Sequence, residues 1–483
     1  MKHSTLPPGA PQSRRRFLGS MAALAGTAAA PFALNLAAMG NAAAQSAGDY
    51  KAIVCIFLNG GNDAFNTVLA TDTASWSQYQ RLRNTGASDS IHLPGVGETG
   101  GVLPITPDTA QAGRSFALHP AMAPLKELFD AGRAAVVANV GTLVLPVTLA
   151  QYKAKSVTLP PKLFSHNDQQ SIWQSGQPEG ATTGWGGRIG DLFAGGNANA
   201  MFTSVSAAGN SVFLSGKQVR QFQVGQSGAV AIRNTSGSLF SSAAGASALQ
   251  AIINEAGDDL IEQEQVAVVQ RAIASQSLLS GAMLAAGPTG VPNPGTYINP
   301  NTGAAATNPL AVQLQTVARI IGGRSALGAK RQVFYVTLGG FDTHDRQKVL
   351  HADLMARLAH ALAYFDATLA TLQGADLRRQ VTTFTASDFG RTFTSNGDGT
   401  DHGWGAHHFV VGGAVRGRDI YGAFPASGLG HELDVGSGSL LPTTSVDQYG
   451  ATLAKWFGVP DNRLAEVFPN LGNFSRRDLG FMS

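Results

Sequence analysis

The chain predicts an α/β fold, with a mostly parallel sheet covered by helices on both faces. Three observations carry this. Apolar, β-branched runs of strand length recur at Ala52–Leu58, Ala134–Val140, Val333–Leu338 and Val381–Ala386. Amphipathic helical patterns alternate with them, which is the signature of strands joined by crossover helices. Four stretches then place Asp or His after an apolar run and a few small residues: Asp63, Asp342 with His344, Asp388, and Asp401 with His402. In such sheets ligands bind just outside the carboxyl ends of the strands.

Taken in order, the chain opens with a segment outside the fold. Ser13-Arg14-Arg15-Arg16-Phe17-Leu18 reads as a twin-arginine export signal. The Ala-rich stretch Met21–Met39 and an A-x-A cleavage pattern at Ala42-Ala43-Ala44 follow it. Residues 1–44 are expected to be removed by the export machinery, leaving a periplasmic protein over 45–483. No later segment reaches the ~18 apolar residues that cross a bilayer. The leader carries Lys2, Arg14, Arg15 and Arg16 and no acid, so its loss takes the formal charge from +3 to −1. That balance excludes nucleic-acid binding through a basic surface. The one cysteine, Cys55, has no partner for an internal disulfide and reads as a small buried hydrophobe.

The first strand, Ala52–Leu58, ends in Asn59-Gly60-Gly61-Asn62-Asp63, where the glycines allow a sharp turn. Residues 70–115 are polar and read as loop. His119-Pro120 opens a helix over Met122–Ala131, closed by Gly132, before the strand Ala134–Val140. His119 reads as structural. Pro160-Pro161 forces extended backbone before Phe164-Ser165-His166, and Ser165 is an N-cap for the helix through Trp173. Residues 195–310 read as an insertion: short strands over 195–245, one long helix over Leu249–Leu279 broken near Gly257, then a loop rich in Pro, Gly and Asn. After the strand at Val333 comes a helix, His351–Leu372, with Leu354, Leu358, Leu362, Phe365 and Leu369 on one face. His351 and His360 fall off that face and read as solvated. Val381–Ala386 and His408–Gly412 are further strands, and Val446–Phe457 is the closing helix.

Carboxylates and imidazoles gathered at one sheet edge suit a divalent ion such as zinc or manganese. Two such ions can clamp a phosphoryl-type substrate. Ser165, at a helix N-terminus, is the candidate nucleophile or simply a cap, and Thr67 is the runner-up. His166 is a candidate acid/base or ligand. Arg391 is a candidate anion clamp or an ordinary ion-pair partner. Asp388-Phe389-Gly390 spells the kinase triplet, but no H-R-D loop or Gly-rich nucleotide loop precedes it.

The segments FLNGGNDAFN, LHPAMAPLKELFDAGRAAVVANVG, FSHNDQQSIWQSG, GGFDTH, TASDFGRT and GTDHGWG, in this order, resemble the family called domain of unknown function 1501. The resemblance spans about residues 50–475 and is weakest over 195–310. That family in turn resembles the alkaline phosphatase and sulfatase superfamily. The resemblance implies a three-layer α/β/α sandwich with a metal site at the carboxyl edge of the sheet. It implies Asp63, Asp342, His344, Asp388 and His402 as metal ligands, with Asp401 or His407 supplying one more. Ser165 falls where the nucleophile lies. Phe389 stands where the superfamily often has a histidine, and no C-x-P-x-R or S-x-P-x-R surrounds Ser165 or Cys55. The expected function is an exported hydrolase of phosphate or sulfate esters, with one or two divalent ions (zinc, manganese or calcium). Ser165 would attack, His166 assist and Arg391 hold the anion. The alternative is a non-catalytic envelope-assembly or binding protein on the same scaffold.

Overall fold

The structure is a computed structural model that describes residues 50–226, 228–229, 239, 241–255 and 259–483. The expected signal peptide, residues 1–44, lies outside them. Lys51–Asn59 is the central strand. It pairs in parallel with Arg331–Gly339 on one side and Val381–Ser387 on the other. Its burial on both faces explains the unbroken run AIVCIFL, since a strand with helices above and below has no polar face. Alternate side chains divide between two cores. Ala52, Val54, Ile56 and Leu58 pack against the helices Ala123–Asp130, Pro309–Gly322 and Gln347–Leu369. Ile53, Cys55 and Phe57 pack against Trp185–Phe193 and Val446–Phe457. The result is the expected three-layer α/β/α sandwich, and Cys55 is buried.

The spatial order of the ten-stranded sheet is Ile420–Tyr421, Ala134–Gly141, Ala406–Val411, Val381–Ser387, Lys51–Asn59, Arg331–Gly339, Ser204–Ser206, Phe222–Gly225, Gly228–Ala229, with Thr444–Ser445 beside Ala134–Gly141. Ala406–Val411 runs antiparallel between two strands of the parallel set. Its amino end therefore lies at the edge where its neighbours have their carboxyl ends. The register fixes that edge: Asn59 is opposite Gly339, and Leu58 opposite Ser387. Asp342, Asp388 and His402 must emerge together.

Two expectations change. The reading of 70–115 as loop is corrected by a helix, Thr73–Arg83, whose buried face is Ser75, Tyr79 and Arg83. Those residues are spaced for a helix but are not apolar, so hydrophobic periodicity does not reveal them. Ser204–Ser206 and Phe222–Gly225 belong to the main sheet rather than to a separate insertion. The helices on either side of the expected break are Ala243–Asn254 and Leu260–Ala282; Gly257 itself lies outside the described residues. No helix among the described residues is long and apolar enough to cross a membrane.

Histidines buried in the sheet carry an acid sensitivity. His407 and His408 sit on Ala406–Val411 and are fully covered. Asn139 N–H donates to His407 Nδ1 at 3.0 Å, leaving Nε2 with no partner, and His408 Nε2 has none either. Burial holds both rings down to about 3. The unfolded chain takes up these protons below pH ~6.5 while the folded chain refuses them. Stability is therefore expected to fall as pH drops from 6.5 towards 3, by at most about 1.4 kcal/mol per pH unit for each ring. Urea midpoints at pH 7 and pH 5 measure this, and His408→Gln should flatten the slope.

Candidate metal centre

Three loops and one helix start meet at the carboxyl edge. His166 is the first residue of the helix His166–Ser175, and Ser165 is its cap. Asp342 and His344 follow Arg331–Gly339, and His402 precedes Ala406–Val411. His402 is pinned by a short antiparallel bridge to Arg391, flanked by Gly403 N–H to Gly390 O at 2.8 Å and Gly390 N–H to Trp404 O at 3.0 Å. Gly60 has φ +116°, and a Cβ there would lie 2.3 Å from the Asp342 nitrogen. Only glycine lets the first-strand turn lie against the Asp342 loop.

Three ligand atoms converge, one each from His166, His402 and Asp342, all within 4.8 Å of one another, with His344 beside them. His402 Nε2 is 3.1 Å from His166 Nε2 and 3.0 Å from His344 Nε2. Asp342 Oδ1 is 3.0 Å from His344 Nε2, 3.4 Å from His166 Nε2 and 3.5 Å from His402 Nε2. An ion bound tetrahedrally at 2.0–2.1 Å has ligands about 3.3 Å apart. The three distances among His166, His402 and Asp342 bracket that edge, whereas His344 Nε2 lies near His402 and Asp342 but outside the group of three. The hydrogen-bond partners of the rings also point to an ion. His402 Nδ1 lies 2.7 Å from the Phe164 carbonyl, which can only accept, so Nδ1 carries the proton and Nε2 a lone pair. His166 Nδ1 lies 2.7 Å from Asp388 Oδ2 and is fixed in the same way. His344 Nδ1 is 3.4 Å from Asp401 Oδ1. Imidazoles that bind metal characteristically donate their other N–H to a carboxylate or carbonyl. Without a cation two lone pairs face each other at 3.1 Å; a proton or a metal ion must lie between them. The bond to Asp388 raises the pKa of His166 above its ordinary value, whereas burial lowers that of His402. The residues present therefore fit a divalent ion on His166, His402 and Asp342, with His344 beside it.

The expected ligands divide accordingly. Asp342 and His402 are in the nest, joined by His166, and His344 stands at its edge. Asp388 and Asp401 are not ligands there but partners of His166 and His344. Asp388 Oδ2 also accepts Gly60 N–H at 3.2 Å, and its buried Oδ1 has no hydrogen-bond partner. Asp388→Ala should weaken divalent-ion affinity by about 10- to 100-fold with the fold intact. Competition with a fluorescent zinc chelator measures it.

Asp63 is corrected outright. It is fully buried and bidentate with Arg83, at 2.5 Å to Nη1 and 3.0 Å to Nη2. Phe65 N–H donates to Oδ1 at 3.1 Å, and Gln347 Nε2 to Oδ2 at 2.6 Å. Burial alone would raise its pKa; Arg83 more than reverses that and holds it low. No lone pair remains for a metal, but Asp63 still supports the site. Gln347 Oε1 accepts Thr343 Oγ1 at 3.0 Å and Thr400 Oγ1 at 2.6 Å. Those threonines flank Asp342–His344 and Asp401–His402. Asp63 and Arg83 thus hold the bracket that sets both ligand loops, a role without a sequence signal because Arg83 lies on the unrecognised helix.

Arg391 is corrected as an anion clamp. It is fully buried, and its N–H groups go to the carbonyls of Gly60, Gly61, Phe341 and Thr400 and to Asp342 Oδ1 at 2.6 Å. It fixes Asp342. Burial pushes the Asp342 carboxyl up, and Arg391 with the neighbouring rings brings it below its ordinary value. Ser165 does start the helix, but its hydroxyl donates to Asp168 Oδ2 at 2.9 Å. Thr67 donates to the Asp63 carbonyl at 2.7 Å and is buried. His351, expected in solvent, is buried and meets Asn62 Oδ1 at 3.0 Å. His119 Nδ1 caps the turn at Ala121 N–H.

Similar solved structures include a Bacteroides thetaiotaomicron protein from work on its metabolism of multiple glycosaminoglycans, at 10% identity over 87% of this chain and 74% of that one, TM-score 0.33. A sulfatase from Pseudoalteromonas sp. matches at 10% identity over 89% and 71%, TM-score 0.34. A protein solved in complex with k-i-k-neocarrahexaose matches at 9% identity over 88% and 77%, TM-score 0.35. No curated protein matches the sequence. Residues 50–467 match the family model described as protein of unknown function (DUF1501), and the chain belongs to that family.

Proposed function

We propose that the protein is an exported, metal-dependent hydrolase of phosphate or sulfate esters, holding one divalent ion on His166, His402 and Asp342, with His344 at the edge of the site. Zinc is the ion this donor set suits best. The observation that carries the reading is the convergence of two Nε2 atoms and one carboxylate oxygen, from His166, His402 and Asp342, at the spacing of three corners of a tetrahedron. A bound divalent ion supplies Lewis acidity, which polarises an ester oxygen and makes water nucleophilic near neutral pH. The chain's own groups do the rest. Asp388 and the Phe164 carbonyl keep the Nδ1 protons of His166 and His402 in place, so both Nε2 lone pairs face the centre. Arg391 holds Asp342 Oδ1. Asp342 and His344 have side chains 49% and 42% exposed, which leaves the centre open to a substrate from solvent. With Ser165 engaged by Asp168, water is the attacking group. Export through the twin-arginine machinery into the periplasm belongs to the same proposal and rests on Ser13–Leu18.

A second reading, a non-catalytic binding or assembly protein, is favoured by one feature. Ser165, the expected nucleophile, is engaged by Asp168. Aryl phosphate and aryl sulfate esters offered to zinc-loaded and chelator-stripped protein separate the two. The hydrolase reading expects turnover that follows metal content, disappears in His402→Ala and stays within about threefold in Ser165→Ala. Fully loaded protein without turnover of either ester class means a binding protein.

A further inference from the structure

The helical hairpin Ala243–Asn254 and Leu260–Ala282 has little of its surface covered. Of the 23 residues in its second helix, only Leu279 is buried. Ile252, Leu260 and Ile261 are 69%, 80% and 80% exposed. A groove between the helices is floored by Ile253, Val266 and Val269 and edged by Glu255 and Glu262. Scattered apolar residues on a surface are ordinary, but a contiguous apolar groove with a charged rim marks a docking site.

We propose that this groove receives the chain's own N-terminal segment, Arg14–Met39, while that segment is still attached. Only the timing rests on reading residues 1–44 as an export signal. Three observations select this occupant. The first is charge. Across the described hairpin the acids are Glu255, Asp259, Glu262 and Glu264, against the single base Arg271. Residues 1–44 carry four bases and no acid. The second is pattern. Three consecutive arginines followed by Phe17-Leu18 and an Ala-rich apolar stretch match an apolar floor with an acidic rim. The third is position. The described chain begins at Tyr50, whose ring lies 5.5 Å from the Arg324 guanidinium. Arg324 opens the short helix after Gly323, and a Cβ on Gly323 would meet the Ala282 carbonyl at 2.3 Å, at the foot of the hairpin. The N-terminal segment therefore enters the described structure beside the hairpin's base. The second helix is about 35 Å long. The stretch between Phe17 and Tyr50 spans that distance more than twice over when extended, at about 3.3 Å per residue. A leader docked in this way is shielded only by a hairpin that has already folded.

Hydrogen–deuterium exchange on the full chain and on the chain from residue 45 tests this. Peptides covering 243–282 should exchange about tenfold more slowly in the full chain, as expected for an intramolecular partner at high effective concentration. The exposed triple variant Glu255→Lys/Glu262→Lys/Glu264→Lys should return the full chain to the rate of the shorter one. Equal rates in the two unmodified chains overturn the proposal. So does protection in both that grows with protein concentration, which means a second copy fills the groove. Protection appearing only with vesicles containing anionic lipid overturns it as well.

Discussion

His402→Ala is expected to cost the purified protein nearly all its bound divalent ion. His402 Nε2 lies within 3.5 Å of the donor atoms of His166, His344 and Asp342. Its loss leaves His166 and Asp342 in the nest, one imidazole and one half-exposed carboxylate, too few to hold an ion against buffer. Metal per chain, measured by plasma mass spectrometry after dialysis, should fall to below about a tenth of the wild-type value. His431→Ala, in a loop remote in sequence from the ligand loops, should leave it unchanged. Circular dichroism separates ligand loss from unfolding. The loop is held by the Arg391 bridge, so the variant should keep its secondary structure.

Arg83→Met is expected to be the most destabilising single change, by about 3–5 kcal/mol. Arg83 and Asp63 have no side-chain exposure, so removing the guanidinium leaves a buried carboxylate with only Phe65 N–H and Gln347 as partners. Asp63→Asn alone should cost less, because the amide oxygen still accepts from Arg83. In the double variant part of the loss returns, since no uncompensated charge remains. Chemical denaturation of the four proteins gives the coupling. Metal affinity provides the second readout. If Gln347 transmits Asp63 to Thr343 and Thr400, Asp63→Asn should also weaken metal binding without touching a ligand.

Much of the scaffold was legible in the sequence because a strand buried on both faces has one composition, and Ala52–Leu58, Val333–Leu338 and Val381–Ala386 have it. The edge of the site was legible for the same reason: strand ends carry their next residues with them, so Asp342, His344 and Asp388 arrive together. Which carboxylate is ligand and which is support was not legible. Asp63 and Asp342 both follow a strand and two glycines. What separates them is Arg83, on a helix whose buried face is Ser, Tyr and Arg and has no apolar period. Arg391 was equally ambiguous, because a guanidinium that holds backbone carbonyls and one that holds a substrate anion have the same sequence signature. His351 was misread from its place off the apolar stripe; it is buried because the first-strand turn presents Asn62 to it.

X-ray absorption at the zinc edge of the loaded protein tests the centre most directly. A four-coordinate shell of two imidazole nitrogens and two oxygens, one from Asp342 and one from water, at about 2.0–2.1 Å is the predicted result. One oxygen should be lost or replaced in Asp342→Ala, and one imidazole lost in His166→Ala. A six-coordinate shell of oxygens, or a folded protein that retains no ion at all, would contradict the site.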